Sequence, residues 1–275
     1  MNGLADKQMS KPLSLLRWYG GKHYLAGRIV SVMSQHRVYV EPYGGAAAVL
    51  LNKLPSEVEV YNDLDGRLVR IFRVLRDHPE VFLYKLALTP YAENEWQACH
   101  EPSDDEVEQA RRDYVLIRQS FAGRGESFAY SRTRSRSGMA DVVSGFLSAV
   151  AQIPQVVERL RRVQIMQREA LEVIALFDSP ETLFYCDPPY LPETVKERNQ
   201  YLISMSRDDH ERLLEALLQV RGKVILSGYP SPLYDEKLSS WYRLECDIAC
   251  HAQSGKQKQR KTEVLWLNYP PKDRT

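Results

Sequence analysis

The chain has 275 residues, 44% of them hydrophobic and 27% charged, which excludes disorder of the chain as a whole and leaves an ordinary globular protein with no sign of a repeat array. Its 37 basic residues face 36 acidic ones, so attraction of the whole molecule to nucleic acid or membrane is weak and any polyanion site must be local. No apolar run approaches the ~18 residues of a membrane span, and Met1 to Lys11 lacks the apolar core of a signal peptide; Cys99, Cys186, Cys246 and Cys250 are too few and too irregular for a disulfide framework. A cytoplasmic protein with reduced thiols is expected.

In chain order, the first feature is Arg17-Trp18-Tyr19-Gly20-Gly21-Lys22, a flexible turn that places an aromatic face beside an ammonium group. Trp18 suits a flat ligand and Lys22 a carboxylate, although a structural turn with an anchoring Trp has the same composition. Strands are predicted at Val38 to Glu41 and Val58 to Tyr61, flanking a helix-length segment from Gly44 to Leu54 opened by a glycine pair. That is close to a βαβ unit, in which backbone N–H groups at a helix start can meet an anionic ligand. Asp63, at the end of the second strand, stands where nucleotide folds hold ribose hydroxyls, or serves as an N-cap.

No strand is predicted from about Val74 to Leu160, which reads as an inserted helical subdomain. Between Arg111 and Arg136 it carries seven arginines against Asp113 and Glu126, with Tyr114, Phe121, Phe128 and Tyr130 interleaved, and Ser131 to Gly138 reads as a flexible arginine-serine stretch. Such a segment suits a nucleic-acid backbone and its bases, and equally a solvated arginine-rich face. Further strands are predicted at Val163 to Gln167, Thr182 to Cys186, Lys223 to Ser227 and Glu263 to Asn268. Asp208 to Val220 reads as a helix through Leu213, Leu214, Leu217 and Leu218, with Gly222 as its stop. Alternating strands and helices define an α/β protein.

The strongest chemical signal is Asp187-Pro188-Pro189-Tyr190 directly after the strand ending at Cys186. Two prolines rigidify the turn at a strand's carboxyl end and present an acid, a carbonyl and an aromatic ring together. These groups can accept two hydrogens from an exocyclic amine and stack on its ring. By contrast, Cys246-x-x-x-Cys250-His251 is short of ligands, so no metal is expected. The basic loop from Gly255 to Lys261 reads first as solvated, with Lys258 and Arg260 as candidate phosphate contacts.

Asp-Pro-Pro-Tyr after an apolar strand resembles the catalytic motif of S-adenosylmethionine-dependent DNA adenine-N6 methyltransferases, and the other motifs fall in the order of the Dam-type, or alpha-group, enzymes. Arg17 to Lys22 resembles the N-terminal cofactor motif of that group, and Val40-Glu41-Pro42-Tyr43-Gly44-Gly45-Ala46 its glycine turn, with Ala46 where many relatives have a third glycine. Asn62-Asp63 resembles its ribose-binding acid, and Glu169 an acid near the cofactor adenine. Ser227-Gly228-Tyr229 and Lys261 to Leu265 resemble late elements.

The resemblance implies a doubly wound, mostly parallel seven-stranded sheet of class I methyltransferase, Rossmann-like type, with one strand reversed near the C-terminus. It implies S-adenosylmethionine as donor without a metal, double-stranded DNA as substrate, and a bacterial or phage enzyme that flips its target adenine. Residues 1–75 and 156–275 would form the catalytic domain and 76–155 a helical target-recognition domain. Asp187, Pro188, Pro189 and Tyr190 would be catalytic. Trp18, Lys22, Glu41, Pro42, Tyr43, Gly44, Gly45, Asp63, Glu169 and Asp187 would bind the cofactor, and Arg124, Arg132, Arg134, Arg136, Lys258 and Arg260 would bind DNA. A monomer suffices chemically, and a dimer is compatible. The alternatives are a methyltransferase for RNA or another planar amine, and an inactive DNA-binding relative; a nicotinamide oxidoreductase is disfavoured by the absence of Gly-x-Gly-x-x-Gly.

Overall fold

The computed structural model describes residues 12–18, 20–194, 203–249 and 260–271. In chain order its elements are α1 (Ala26–Val32), β1 (Val38–Glu41), β2 (Val58–Asn62), α2 (Gly66–Asp77), α3 (Pro79–Ala87), α4 (Glu93–Ala98), α5 (Glu106–Arg118), β3 (Ser135–Arg136), β4 (Met139–Ala140), α6 (Asp141–Val150), α7 (Ile153–Leu160), β5 (Gln164–Met166), α8 (Ala170–Phe177), β6 (Thr182–Cys186), α9 (Arg207–Gln219), β7 (Lys223–Gly228), α10 (Pro232–Lys237), β8 (Tyr242–Ala249) and β9 (Arg260–Leu267).

The main sheet has seven strands in the order β5-β2-β1-β6-β7-β9-β8. The first five are mutually parallel, and β9 runs antiparallel to β7 and to β8. This is the expected doubly wound fold with one reversed strand. Alternate side chains feed two cores, as a pleated sheet covered on both faces requires. Tyr39, Tyr61, Leu183, Tyr185, Ile225 and Leu265 pack on one face with α1 and α2. Val40, Val60, Phe184, Cys186, Val224 and Trp266 pack on the other with α8, α9 and α10.

Three expectations change. The segment 44–54 forms successive turns and not a helix, because Gly45 and Ala47 take φ of +50° and +53°, outside the helical region. The arginine-serine stretch 131–138 contains β3, which pairs with β4 as a short hairpin whose two-residue Ser137-Gly138 turn has φ of +54° and +75°. A seventh strand, β8, lies in a segment read only in part as strand. At the sheet edge it exposes Arg243, Glu245 and Asp247 in alternation with half-buried Leu244 and buried Cys246.

The helices after β2 are tied together by ion pairs from α2 to α5, Arg70 with Asp113 and Arg73 with Glu106. Phe82, Tyr91, Trp96, Tyr114, Phe128 and Phe146 form an aromatic core among them. That core also accounts for part of the arginine-rich segment. Arg111 and Arg112 pair with Glu108, and the guanidinium of Arg118 donates to the Gly145 carbonyl, so these three charges are internal to the helical layer.

Candidate active site

Chain order reverses between β1 and β6, and open α/β sheets bind ligands at the carboxyl ends of strands flanking such a point. There β1 delivers Glu41 to Gly45, β2 delivers Asp63, β5 delivers Glu169, and β6 delivers Asp187 to Tyr190. Asn62 locks the ends of three strands in register. Its side-chain amide donates to the Pro42 and Arg168 carbonyls at 2.9 Å, and its oxygen accepts from the Arg168 N–H at 2.9 Å.

The glycine turn is fixed by β2. A Cβ at Gly44 would fall inside the Tyr61 ring, so only glycine fits. The Tyr61 hydroxyl donates to the Gly45 carbonyl at 2.8 Å, and the Gly45 N–H donates to Asp63 Oδ2 at 2.8 Å. The backbone donor expected to face a ligand anion therefore holds Asp63, and there is no helix start behind it. Burial raises the Asp63 carboxyl to about 6, and its Oδ1 accepts from the Asp65 N–H. The Trp18 indole lies beside Gly45, Tyr43 is half-buried, and Glu169 is exposed, with no side-chain capping bond, at the start of α8.

Glu41 ends β1 at the floor of this crevice. It is 1% exposed and accepts the Tyr39 hydroxyl at 2.6 Å, and burial raises its carboxyl to about 8. A carboxyl held above its ordinary value favours the fold while protonated, and that contribution is lost as pH rises through about 8. Glu41→Gln should therefore gain stability relative to wild type as pH increases from about 5 to 9, by on the order of 4 kcal/mol. Urea unfolding across that range checks it; a constant difference would contradict it.

Asp187, Lys22, Tyr190, Ser227 and Glu263 converge on one cluster. Lys22 Nζ lies 2.6 Å from Asp187 Oδ1 and 3.2 Å from Glu263 Oε1, and donates to the Tyr190 hydroxyl oxygen at 3.1 Å. The Ser227 hydroxyl donates to the same Asp187 Oδ1 at 2.8 Å. Both protein donors thus take Oδ1, and Oδ2 accepts nothing from the described residues. Tyr190 donates its hydroxyl hydrogen to Glu263 and stacks on Tyr229 with ring centroids 4.1 Å apart. Pro188 is buried and Pro189 half-buried between them, and a cavity of about 550 Å³ opens beside Tyr229, lined by Leu191, Pro230, Leu233 and Thr262.

Lys22, expected from its turn to meet a cofactor carboxylate, places its buried ammonium on Asp187. Glu263 and Ser227 were noticed only as late motif elements, with no role. Of the candidate DNA contacts, Arg132 and Arg134 are exposed beside the hairpin, together with Tyr130 and Phe121. Arg136 reaches Ser144 and Ser148, and Arg124 is half-buried. Lys258 lies outside the described residues, as does the side chain of Arg260, which opens β9. Among the described residues no three His, Cys, Asp or Glu side chains are grouped to hold a metal ion, and no helix is long and apolar enough to cross a membrane.

A crevice at a strand-order reversal, faced by an Asp-Pro-Pro-Tyr turn, has the arrangement that the resemblance to adenine-N6 methyltransferases implies. Residues 18–246 match the family model of D12 class N6 adenine-specific DNA methyltransferases, and the chain belongs to that family. It is also similar to the type II methyltransferase M1.LlaDCHI of Lactococcus lactis subsp. cremoris, with 24% identity over 92% of this chain and 94% of that protein.

Proposed function

We propose that the enzyme methylates adenine N6 in double-stranded DNA at the crevice between β1 and β6, with S-adenosylmethionine as donor. One observation carries this reading: among the described residues the Asp187 carboxylate is anchored through Oδ1 alone, leaving Oδ2 as an acceptor at the carboxyl end of β6, the strand next to β1. The acids of the crevice, Asp63, Glu169 and Asp187, fit a ligand that carries ribose hydroxyls and positive charge. Asp63 would hold the ribose, Glu169 would lie near the adenine, and Trp18, Pro42, Tyr43, Gly44 and Gly45 would wall the pocket, with Glu41 supporting it from the core. Bound there, S-adenosylmethionine supplies a methyl group already activated by its sulfonium.

The chain's own groups act on the nucleophile. Adenine N6 is a poor nucleophile because its lone pair is delocalised into the ring. Asp187 Oδ2 and the Pro188 carbonyl accept its two hydrogens, which favours a pyramidal nitrogen and points the lone pair at the methyl carbon. Pro188 and Pro189 hold these acceptors rigid. The target base leaves the duplex to reach them, at a cost of a few kcal/mol, and packs against the Tyr190 side of the crevice.

Residues 76–155 serve as the target-recognition part. Arg132 and Arg134 would contact phosphates, joined by Arg124 and Arg136 and, from the C-terminal part, by Lys258 and Arg260. Replacing Arg132 and Arg134 together by alanine is expected to lower the slope of log affinity against log salt by about 2, from the loss of two phosphate contacts. Fluorescence anisotropy with a duplex between about 50 and 200 mM salt reads this, and an unchanged slope contradicts it. Similarity to a type II methyltransferase supports a role in restriction-modification.

The cofactor assignment is tested by calorimetric titration with S-adenosylhomocysteine. One site per chain is expected, weakened at least about tenfold by Asp63→Ala through loss of charge-assisted hydrogen bonds. Absence of binding to the wild-type protein would overturn it.

A further inference from the structure

The reversed strand β9 brings Glu263 under the Asp-Pro-Pro-Tyr turn, although 73 residues separate it from Tyr190. Glu263 is fully buried, and a carboxylate is kept in such a place only by groups that compensate its charge. Those groups are Lys22, at 3.2 Å, and the Tyr190 hydroxyl, at 3.1 and 3.2 Å from its two oxygens.

The donor pattern gives this contact a direction. The phenol of Tyr190 has one hydrogen, which goes to Glu263, so its oxygen is free to accept from Lys22 Nζ at 3.1 Å. The ammonium has three hydrogens and faces Asp187, Glu263, Tyr190 and the Gly20 carbonyl, which hold it on several sides. One carboxylate therefore fixes two neighbours: the cation that anchors Asp187 Oδ1, and the hydroxyl that sets the rotation of the Tyr190 ring against Tyr229.

We infer that Glu263 is a positioning residue for methyl transfer, acting through Lys22 and the Tyr190 hydroxyl to orient the Asp187 carboxylate and the Tyr190 ring toward the target base. The inference rests on the assignment of Asp187 and Tyr190 as the groups that meet that base. Without the negative charge of Glu263, Lys22 is drawn wholly to Asp187, and the Tyr190 hydroxyl loses its ionic acceptor. Misorientation of this kind appears in turnover rather than in binding, since Glu263 is fully buried beneath the turn and offers no surface to cofactor or DNA.

The test compares Glu263→Gln with wild type, using methyl-labelled S-adenosylmethionine and mixed-sequence duplex DNA. The expected result is a fall in kcat of roughly tenfold to a hundredfold, with KM for DNA and affinity for S-adenosylhomocysteine each within about threefold of wild type. Tyr190→Phe removes only the hydroxyl and should be non-additive with Glu263→Gln, the double variant being little worse than the slower single one. If Glu263→Gln fails to fold, Glu263→Asp, which keeps the charge but shortens its reach, carries the same kcat criterion. Wild-type kcat in a folded Glu263 variant, or fully multiplicative effects with Tyr190→Phe, would overturn the inference while Asp187 variants remained inactive. Active Asp187 variants would instead overturn the site assignment beneath it.

Discussion

Asp187→Asn is expected to lower methyl transfer by roughly two to three orders of magnitude while leaving the protein folded. Lys22 and Ser227 both donate to Oδ1, so the asparagine side chain settles with its oxygen toward them. Its NH₂ then occupies the Oδ2 position and meets the N6 hydrogens of the target base donor to donor. Lys22 keeps Glu263 and Tyr190 as partners, which is why the fold survives. Initial rates of methyl incorporation, with thermal unfolding as a control, check this. A correctly folded variant with near-normal turnover would remove Asp187 from the chemistry.

Lys22→Met is expected to have the largest effect on stability. It leaves the Asp187 and Glu263 carboxylates facing one another in a buried cluster without their shared cation, and breaking a buried pair by removing one partner costs about 3–5 kcal/mol. Burial and the neighbouring Asp187 already hold the Glu263 carboxyl above the usual carboxylate range, and without Lys22 it rises further. A raised carboxyl favours the fold below its unfolded value and loses that contribution as pH rises, so the deficit of Lys22→Met should be largest at neutral and alkaline pH and shrink on acidification. Urea unfolding at several pH values measures it. A stable variant whose only defect was a higher KM for S-adenosylmethionine would instead restore Lys22 to a cofactor carboxylate.

These contrasts show where the sequence was legible. Strands β1, β6 and β7 stand out as short runs rich in Val, Ile, Leu and Tyr, because they lie inside the sheet with both faces covered and most positions are apolar. Strand β8 lies at the edge, exposes alternate side chains and carries Arg243, Glu245 and Asp247, so composition hides it. The segment after Gly45 is rich in Ala, Val and Leu and reads as helix, but Tyr61 and Asp63 hold the turn in a left-handed path that local propensity does not encode. Ser137-Gly138 is a recognised turn dipeptide, yet no apolar alternation flanks it to announce a hairpin.

The same distinction holds in the site. Asp187 to Tyr190 is contiguous and rigid, so its chemistry can be read from the chain. Ser227 and Glu263 reach Asp187 and Tyr190 only through sheet order, since β7 neighbours β6 and the reversed β9 neighbours β7, and Lys22 reaches them from the turn before α1, 165 residues away from Asp187. An acid among the charged residues before β9's apolar run reads as solvent-exposed until the fold shows it buried under the catalytic turn.

The most direct test of the central claim identifies the methylated nucleoside. Wild-type protein and methyl-labelled S-adenosylmethionine are incubated with mixed-sequence duplex DNA, with RNA in parallel, and each polymer is digested to nucleosides for mass spectrometry. The site described here predicts label in N6-methyladenine from the duplex; label confined to RNA, or to a methylated cytosine, would contradict it.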